Sequence, residues 1–499
     1  MTVKVTSGNE RLAKLTINGV TGEEGIRETN ESKAAKKAER AAQRGKVAAP
    51  TQAEAGDPLG SQYGDTFIQS CTQGTKTYWD IDRLSEEQSG RKAVLFVDDK
   101  TVSKGMLKYA TAISRESLVD VSGEVHVPET PVELKVHSIR CVSRARTLPY
   151  ELTDAMRSEE ELQGGDAQLA TVTLETRLNK RWIELRTPAN DAILAIQAAV
   201  IQLFRGALCS EGIRELQLPK TIAGAGEGGA AVYKFEYHGQ EACLAQSPQL
   251  HKQMALCTNM SRVFTTGPVF RAEKSNTHRH LCEFTGLDFE MAINEHYNEV
   301  LDVMDHVFIS MFNSLHKNYA QQLATIAEQL PVEPLQYLPK TLRLSFEEGM
   351  KMLQEAGFEP EELGHLTTEL ERELGKIVRK KYKTDFYVLY RYPLAARPFY
   401  TMPDPEDPRY SNSFDVFLRG EEIISGGQRI HDPDFLTERA KANGIPLEGL
   451  REYIDCFEDG APPHGGLGAG LERVVMLFCG LDNIRRASLF PRDPKRLTP

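Results

Sequence analysis

The chain has 499 residues, of which 40% are apolar and 26% charged, and its formal net charge is −11. That composition suits a folded protein of roughly two to four domains. It contains no run of about eighteen apolar residues that would span a membrane, and its acidic balance excludes bulk coating of nucleic acid while permitting a local basic patch. The cysteines stand singly with no CxxC pair, which points to reduced thiols and not to a zinc site or a disulfide framework. The opening MTVKVTSGNERLAKL lacks the apolar stretch of a secretory leader, so a cytoplasmic protein is expected.

In chain order, residues 1–60 read as a flexible, basic extension. Within it, ESKAAKKAERAAQRGK (Glu31 to Lys46) sets six basic residues against two acidic ones on strong helix formers. A solvated helix or disordered tail explains that run, and so does a basic arm lying on phosphates. Residues 61–150 carry the β-rich runs KAVLFVD, SLVDVSGEVHV and VELKVHSIRCVSRA, which suggest a small all-β module. DAMRSEEELQGGDAQ is polar and contains glycine, placing a linker at 151–170.

From 171 to 499 the pattern is α+β. Ile193, Ile196, Val200, Leu203, Phe204 and Leu208 form an amphipathic stripe, with Asn190 as the expected cap and a stop at Gly212. GPVFRAE and LCEFTGLDFEMA read as an antiparallel hairpin. A long helix follows from about Glu295, with Val300, Met304, Val307, Met311 and Leu315 on one face. SFDVFLRGEEIISGG reads as a second hairpin turning near Arg419-Gly420, and GGLGAGLERVVMLFCGL as a glycine-rich strand feeding a helix.

The densest chemistry lies in FRAEKSNTHRHLCEFTGLDFEM, where two arginines, two histidines and four carboxylates share 22 residues. GLGAG does not fit GxxxxGK[ST] or a βαβ nucleotide loop, and packing of strand against helix accounts for its glycines. Arg473 falls in the first turn of the following helix, where a cation opposes the helix dipole. An anionic ligand explains that placement, and so does a salt bridge. Asp415 and Glu422 straddle the second turn, where opposite residues on paired strands can share a hard cation such as Mg²⁺; two solvated edge acids would fit the spacing equally well. Arg429 on the same strand could hold a carboxylate through two parallel hydrogen bonds. AQSPQLHKQ by itself reads as a loop. GAGEGGA with Glu227 is a flexible segment, either a lid or an ordinary surface turn.

Together these stretches resemble the class II aminoacyl-tRNA synthetases, and among them the aspartyl-tRNA synthetases of the eukaryotic and archaeal type, from about residue 170 to 499. GIRELQLPKTI, with Pro219, resembles motif 1, the dimer element. GPVFRAEKSNTHRHLCEFTGLDFEM resembles motif 2 and GLGAGLERVVMLF motif 3. GGAAVYKF, AQSPQLHKQ, RPFYTMPD and GEEIISGGQRIHD resemble the family's substrate-binding runs. The resemblance implies an antiparallel-sheet catalytic domain flanked by helices at 171–499. It also implies an OB-like anticodon-binding module at 61–150, incomplete here because no arginine-rich strand pair separates TQGTKTYWDIDRLSEEQSG from KAVLFVDD.

The activity implied is ATP- and Mg²⁺-dependent ligation of L-aspartate to tRNA(Asp) by a cytoplasmic homodimer, with membership of a multi-synthetase complex left open. A sister ligase charging asparagine and a non-catalytic tRNA-binding paralogue are the alternatives; the intact Arg271, Arg473, Asp415 and Glu422 argue against the latter. By resemblance, Arg271 holds the ATP α-phosphate and Arg473 the γ-phosphate. His280 and Phe284 flank the nucleotide, with Phe284 on the adenine, and Glu273 meets the adenine or the tRNA end. Asp288, Glu227 and Gln249 bind the aspartate ammonium, and Lys252 and Arg429 its side-chain carboxylate. Asp415, Glu422 and Ser425 hold Mg²⁺.

Overall fold

The computed structural model describes residues 3–6, 51–66, 78–80, 92–98, 100–126, 133–163, 169–223, 231–361, 363–364 and 366–499. Glu227 and the basic run from Glu31 to Lys46 lie outside the described residues. The chain divides into two compact units, Met1–Pro149 and Tyr150–Pro499.

In the first unit Leu118–His126 and Glu133–Ser143 pair antiparallel within a six-stranded sheet. Tyr63–Asp65 and Lys92–Val94 run parallel to Glu133–Ser143. Val3–Thr6 joins Leu118–His126 in parallel and pairs with Tyr78–Asp80. Val3–Thr6 therefore belongs to this sheet, where the sequence suggested an extension as far as residue 60. Val102, Met106 and Tyr109 pack with Val119, Val121 and Ile139 in a small core of the unit's own.

The second unit is built on an eight-stranded sheet. In chain order its strands are β1 (Arg214–Glu215), β2 (Arg262–Phe270), β3 (Glu283–Ala292), β4 (Leu342–Ser345), β5 (Phe386–Tyr390), β6 (Ser413–Leu418), β7 (Glu421–Arg429) and β8 (His464–Gly470). In space they run β4-β5-β6-β7-β8-β3-β2-β1. From β5 to β2 neighbours are antiparallel, and the outer β4 and β1 join in parallel. The helices that frame the site are α1 (Pro188–Ser210), α2 (Gln249–Leu256), α3 (Asn298–Asn318), α4 (Thr368–Tyr382) and α5 (Leu471–Phe478).

Helix α1 starts earlier than its apolar stripe suggested. Thr187 is the N-cap and Pro188 fills the first turn, where its missing N–H costs nothing. Asn190 is not the cap; it is buried, and its amide donates to Glu184 and to the Thr187 hydroxyl. The helix is long and apolar enough to match a bilayer in length. Its Ile193, Ile196, Val200, Phe204 and Leu208 nevertheless close into one core with Val300, Met304, Val307 and Met311 of α3. The segment read as a linker is also partly structured. Leu152–Ala155 and Glu159–Gln163 are helical, and the Ala155 carbonyl accepts from Arg177 and Gln329, each at 2.7 Å.

The glycines of β8 serve the neighbouring strands more than any helix. Across the β3–β8 ladder Gly466 faces Glu290 and Gly468 faces Asp288. A Cβ on Gly468 would stand 2.6 Å from Asp288 Oδ1, and one on Gly466 would collide with the Glu290 carboxylate. Gly465 and Gly470 fit the expected strand-on-helix packing, with Val300 of α3 at 3.3 Å and Arg473 of α5 at 3.9 Å from where their Cβ atoms would lie. The strand surrenders its side chains so that charged ones can lie beside it.

A second close approach sets α4 against the β6–β7 turn. Arg419 and Gly420 both have positive φ, 50° and 76°, as the expected hairpin requires. Gly375 sits mid-helix, and a Cβ there would lie 2.5 Å from Gly420 Cα. Helix propensity alone would favour Gly375→Ala by about 1 kcal/mol. Overpacking against rigid backbone costs about 1–3 kcal/mol and should win. Thermal unfolding of Gly375→Ala is expected at a lower temperature than wild type; a higher one would mean that α4 does not press on this turn.

Candidate active site

A cavity of about 260 Å³ opens where β2, β3, β7 and β8 meet the first turns of α2 and α5. Of the residues singled out from sequence, Arg271, Glu273, His280, Phe284, Gln249, Asp288, Glu422, Ser425, Arg429 and Arg473 border it. Lys252 and Asp415 are not on its wall but are bonded to groups that are: Lys252 to Asp288, and Asp415 to Arg397. AQSPQLHKQ is a helix start and not a plain loop. It places Gln249 and Lys252 one turn apart on α2.

One end of the cavity is cationic. Arg271 lies over the Phe284 ring, 5.3 Å from its centroid, and 3.9 Å from Glu273. Arg473, in the first turn of α5, donates to the backbone carbonyls of Glu422 at 3.0 Å and Arg279 at 3.2 Å. Carbonyls do not neutralise a guanidinium, so Arg473 keeps its charge for something in the cavity. Burial pulls its pKa down; Glu422 works against that, while Arg279 and Arg271 add to it. His280 accepts or donates at Nδ1 to the Thr277 hydroxyl at 2.5 Å. Burial first, and then the Arg473 charge, push His280 down to about 4. At neutral pH its imidazole is uncharged.

The other end rests on a buried cluster of opposite charges. The Lys252 ammonium lies 3.2 Å from Asp288 Oδ1, 3.2 Å from Glu290 Oε2 and 2.9 Å from the Leu467 carbonyl. Arg429 Nε donates to Glu290 Oε1 at 2.8 Å, and its Nη2 donates to the Gly466 carbonyl at 3.0 Å and to Gln249 Oε1 at 3.3 Å. Lys252 is 1% exposed and Glu290 0%, whereas Asp288 and Arg429 each keep 6% at the cavity surface. Burial pushes the Asp288 carboxyl above the ordinary range, and Lys252 only partly offsets it. Glu290 goes the other way: burial raises it, but Arg429 and Lys252 outweigh that and hold it low. Glu290 thus orients both cations.

The acidic pair on β6 and β7 is arranged differently from the sequence expectation. Asp415 faces Ser425 across the ladder, while Glu422 faces Phe417 beyond a register shift, so the two acids are not cross-strand partners. Arg397 donates from Nη1 to Asp415 Oδ1 at 2.8 Å and to Ser425 Oγ at 2.9 Å. Burial and then the Asp415 charge both raise Glu422. Among the described residues no three acid, histidine or cysteine ligands converge on one point. Mg²⁺ does not need such a cage, since it binds through one or two carboxylates with substrate phosphates completing its shell. Glu422 and the Ser425 hydroxyl on the cavity wall, with Asp415 held behind them by Arg397, fit that requirement.

Sequence reasoning missed Glu290, Arg279 and Arg397. A signal for the first existed, because Phe284, Gly286, Asp288 and Glu290 alternate along β3 and share a face. Arg397 lay inside RPFYTMPD but carried no pattern. Its Nε and Nη2 are buried and have no hydrogen-bond partner among the described residues.

The family model for class II tRNA synthetases (D, K and N) matches residues 173–494. The cytoplasmic aspartate–tRNA ligase 2 of Arabidopsis thaliana is 52% identical over 428 residues, which is 83% of this chain and 77% of that protein. The aspartyl-tRNA synthetase structure from Entamoeba histolytica superposes with a TM-score of 0.75 at 42% identity, covering 82% of this chain and 83% of its own. The asparaginyl-tRNA synthetase of Pyrococcus horikoshii in complex with asparaginyl-adenylate gives a TM-score of 0.72 at 30% identity, over 83% and 91%.

Two measurements check this geometry. NMR titration of His280 in the free protein should give a midpoint near 4, well below the ordinary 6.5; a midpoint at 6.5 would mean that His280 is neither buried nor faced by Arg473 as described. Lys252→Met leaves Asp288 and Glu290 with a single cation between them. It should cost about 3–5 kcal/mol in denaturant unfolding, and a loss under about 1 kcal/mol would contradict the pairing.

Proposed function

This chain belongs to the class II tRNA synthetases (D, K and N), and we propose that it activates L-aspartate with ATP and transfers it to the 3′ end of tRNA(Asp). The observation that carries the reading is that Arg271, Arg429 and Arg473, drawn from a loop, a strand and a helix far apart in sequence, face one cavity. A triphosphate and a dicarboxylic amino acid together present the charges that such a cavity lacks.

The first step brings two anions together as the aspartate α-carboxylate attacks the α-phosphorus of ATP and pyrophosphate leaves. No protein nucleophile is needed; positioning and charge neutralisation carry it. Phe284 offers a ring face to the adenine, and Arg271, already held over that ring, meets the α-phosphate. Arg473, hydrogen-bonded to two backbone carbonyls, meets the γ-phosphate. His280, uncharged at neutral pH, can hydrogen-bond a phosphate oxygen without competing with the arginines for their counter-ion. Glu273, beside Arg271, is placed to meet the adenine or the tRNA end.

At the other end Asp288 and Gln249 face the aspartate ammonium, with Glu227 as a further partner implied by the resemblance alone. Arg429 at the wall, with Lys252 behind Asp288, faces the side-chain carboxylate. Asp415, Glu422 and Ser425 would hold Mg²⁺, which when bound supplies charge neutralisation to the phosphates. An asparagine amide would replace a charge-assisted hydrogen bond to the Arg429 guanidinium with a neutral one, and that loss is the source of selectivity. The 3′ hydroxyl of the tRNA then displaces AMP from the adenylate.

We further read the strand Arg214–Glu215 and Pro219 as the dimer element, the first unit as the anticodon-binding module, and the cytoplasm as the site of action.

The test is ATP–pyrophosphate exchange with aspartate and asparagine side by side. Aspartate should support exchange and asparagine should not. Arg473→Ala should lower the rate by a factor of about 10²–10³ without altering the oligomeric state by light scattering. Normal exchange in that variant would remove Arg473 from its assigned role, and equal exchange with both amino acids would remove the specificity.

A further inference from the structure

We infer that α4, a helix outside the three motif stretches, is part of the ATP-binding apparatus: Glu371 and Arg372 on its first turn clamp the β2–β3 loop so that Arg279 faces the cavity. This rests on the reading of that cavity as the ATP site.

The contacts are specific and fall on consecutive loop residues. Arg279 Nη1 donates to Glu371 Oε2 within a pair whose side chains are only 14% and 6% exposed. Arg372 Nη2 lies 2.8 Å from His278 Nε2, and its Nε donates to Glu421 Oε1 at 3.0 Å. Glu421 in turn sits 3.0 Å from His278 Nε2 and directly precedes Glu422 on β7. Ile484 N donates to the His278 carbonyl at 2.8 Å, closing the loop from its other side.

The consequence reaches the phosphate end. Arg279 borders the cavity, and its backbone carbonyl accepts from Arg473 Nη2 at 3.2 Å. A guanidinium carries five N–H donors, so pairing Nη1 with Glu371 fixes the plane and leaves others for a ligand. Glu371 therefore orients Arg279 through its side chain and steadies Arg473 through the loop. It is a positioning residue and touches no substrate itself.

A purely structural role explains the pair poorly. Burying a carboxylate is costly, and well-packed apolar side chains usually serve stability as well as a buried ion pair or better. Burial raises the Glu371 carboxyl to about 7 even with Arg279 beside it, so the position is held at a cost that a cavity-facing arginine accounts for. The backbone approach of Gly375 to Gly420 sets the depth at which α4 lies on the β6–β7 turn. The same helix thereby touches the loop that bears Arg279 and the hairpin that bears Glu422.

Glu371→Gln keeps size and leaves the Thr367 helix cap untouched. In aspartate-dependent exchange the KM for ATP should rise roughly tenfold, the cost of leaving one buried charged group short of its partner. The KM for aspartate should stay at the wild-type value, while the melting temperature falls because Arg279 loses a buried partner. Adding Glu371→Gln to Arg279→Ala should change nothing further, because both act through one guanidinium. Wild-type exchange in the same assay establishes the reading on which the inference rests. With that exchange present, an unchanged KM for ATP, or an equal rise in both KM values, would overturn the clamp.

Discussion

Placing Lys252, Arg429, Asp288 and Glu290 together under a sheet removes two cations and two carboxylates from water, and the second unit is shaped around keeping them paired. Each isolated ion would lose several kcal/mol of hydration. Here every one has an opposite charge within 3.2 Å. The arrangement needs volume beside β3, and β8 provides it by presenting Gly466 and Gly468 where side chains would otherwise stand. The glycine-rich stretch is thus a consequence of buried charge. It forms no phosphate cradle of its own.

The phosphate end is built on the opposite logic. Arg271, Arg279 and Arg473 approach one another, and the first two add to the burial that lowers the Arg473 pKa. Such a cluster is poorly satisfied alone, with Arg473 bonded to carbonyls and Arg271 to an aromatic face and a distant carboxylate. A polyanion would relieve it, as the proposed Mg²⁺ would relieve Glu422. The two ends of the cavity therefore differ in kind: the end at Lys252 and Arg429 is paired within itself, and the end at Arg271 and Arg473, which we propose takes the nucleotide, is left cationic. Preorganised charge of this type is what transition-state stabilisation requires when no covalent step is available.

Much of this was legible in the sequence where the signal was local. The α3 stripe, both hairpins and the Arg419-Gly420 turn followed from periodicity and turn chemistry. Arg271, Phe284 and Arg473 could be placed from motif resemblance, and they line the cavity. The failures have a common cause. Asn190 looked like a cap because its role as a buried amide for Glu184 depends on tertiary contact. Asp415 and Glu422 looked like cross-strand partners because a register shift between Val416 and Phe417 leaves no mark in composition. The Glu371–Arg279 pair joins residues far apart in the chain, and no local rule finds such a pair.

The central claim is that the Arg429 guanidinium, held at the cavity wall by the buried cluster, selects a carboxylate over an amide. Titration calorimetry with a non-hydrolysable aspartyl-adenylate analogue and its asparaginyl counterpart tests it most directly, because chemistry and tRNA are then absent. The account expects the aspartyl analogue to bind more tightly by a factor on the order of 10⁴. Affinities within about tenfold of each other would contradict it.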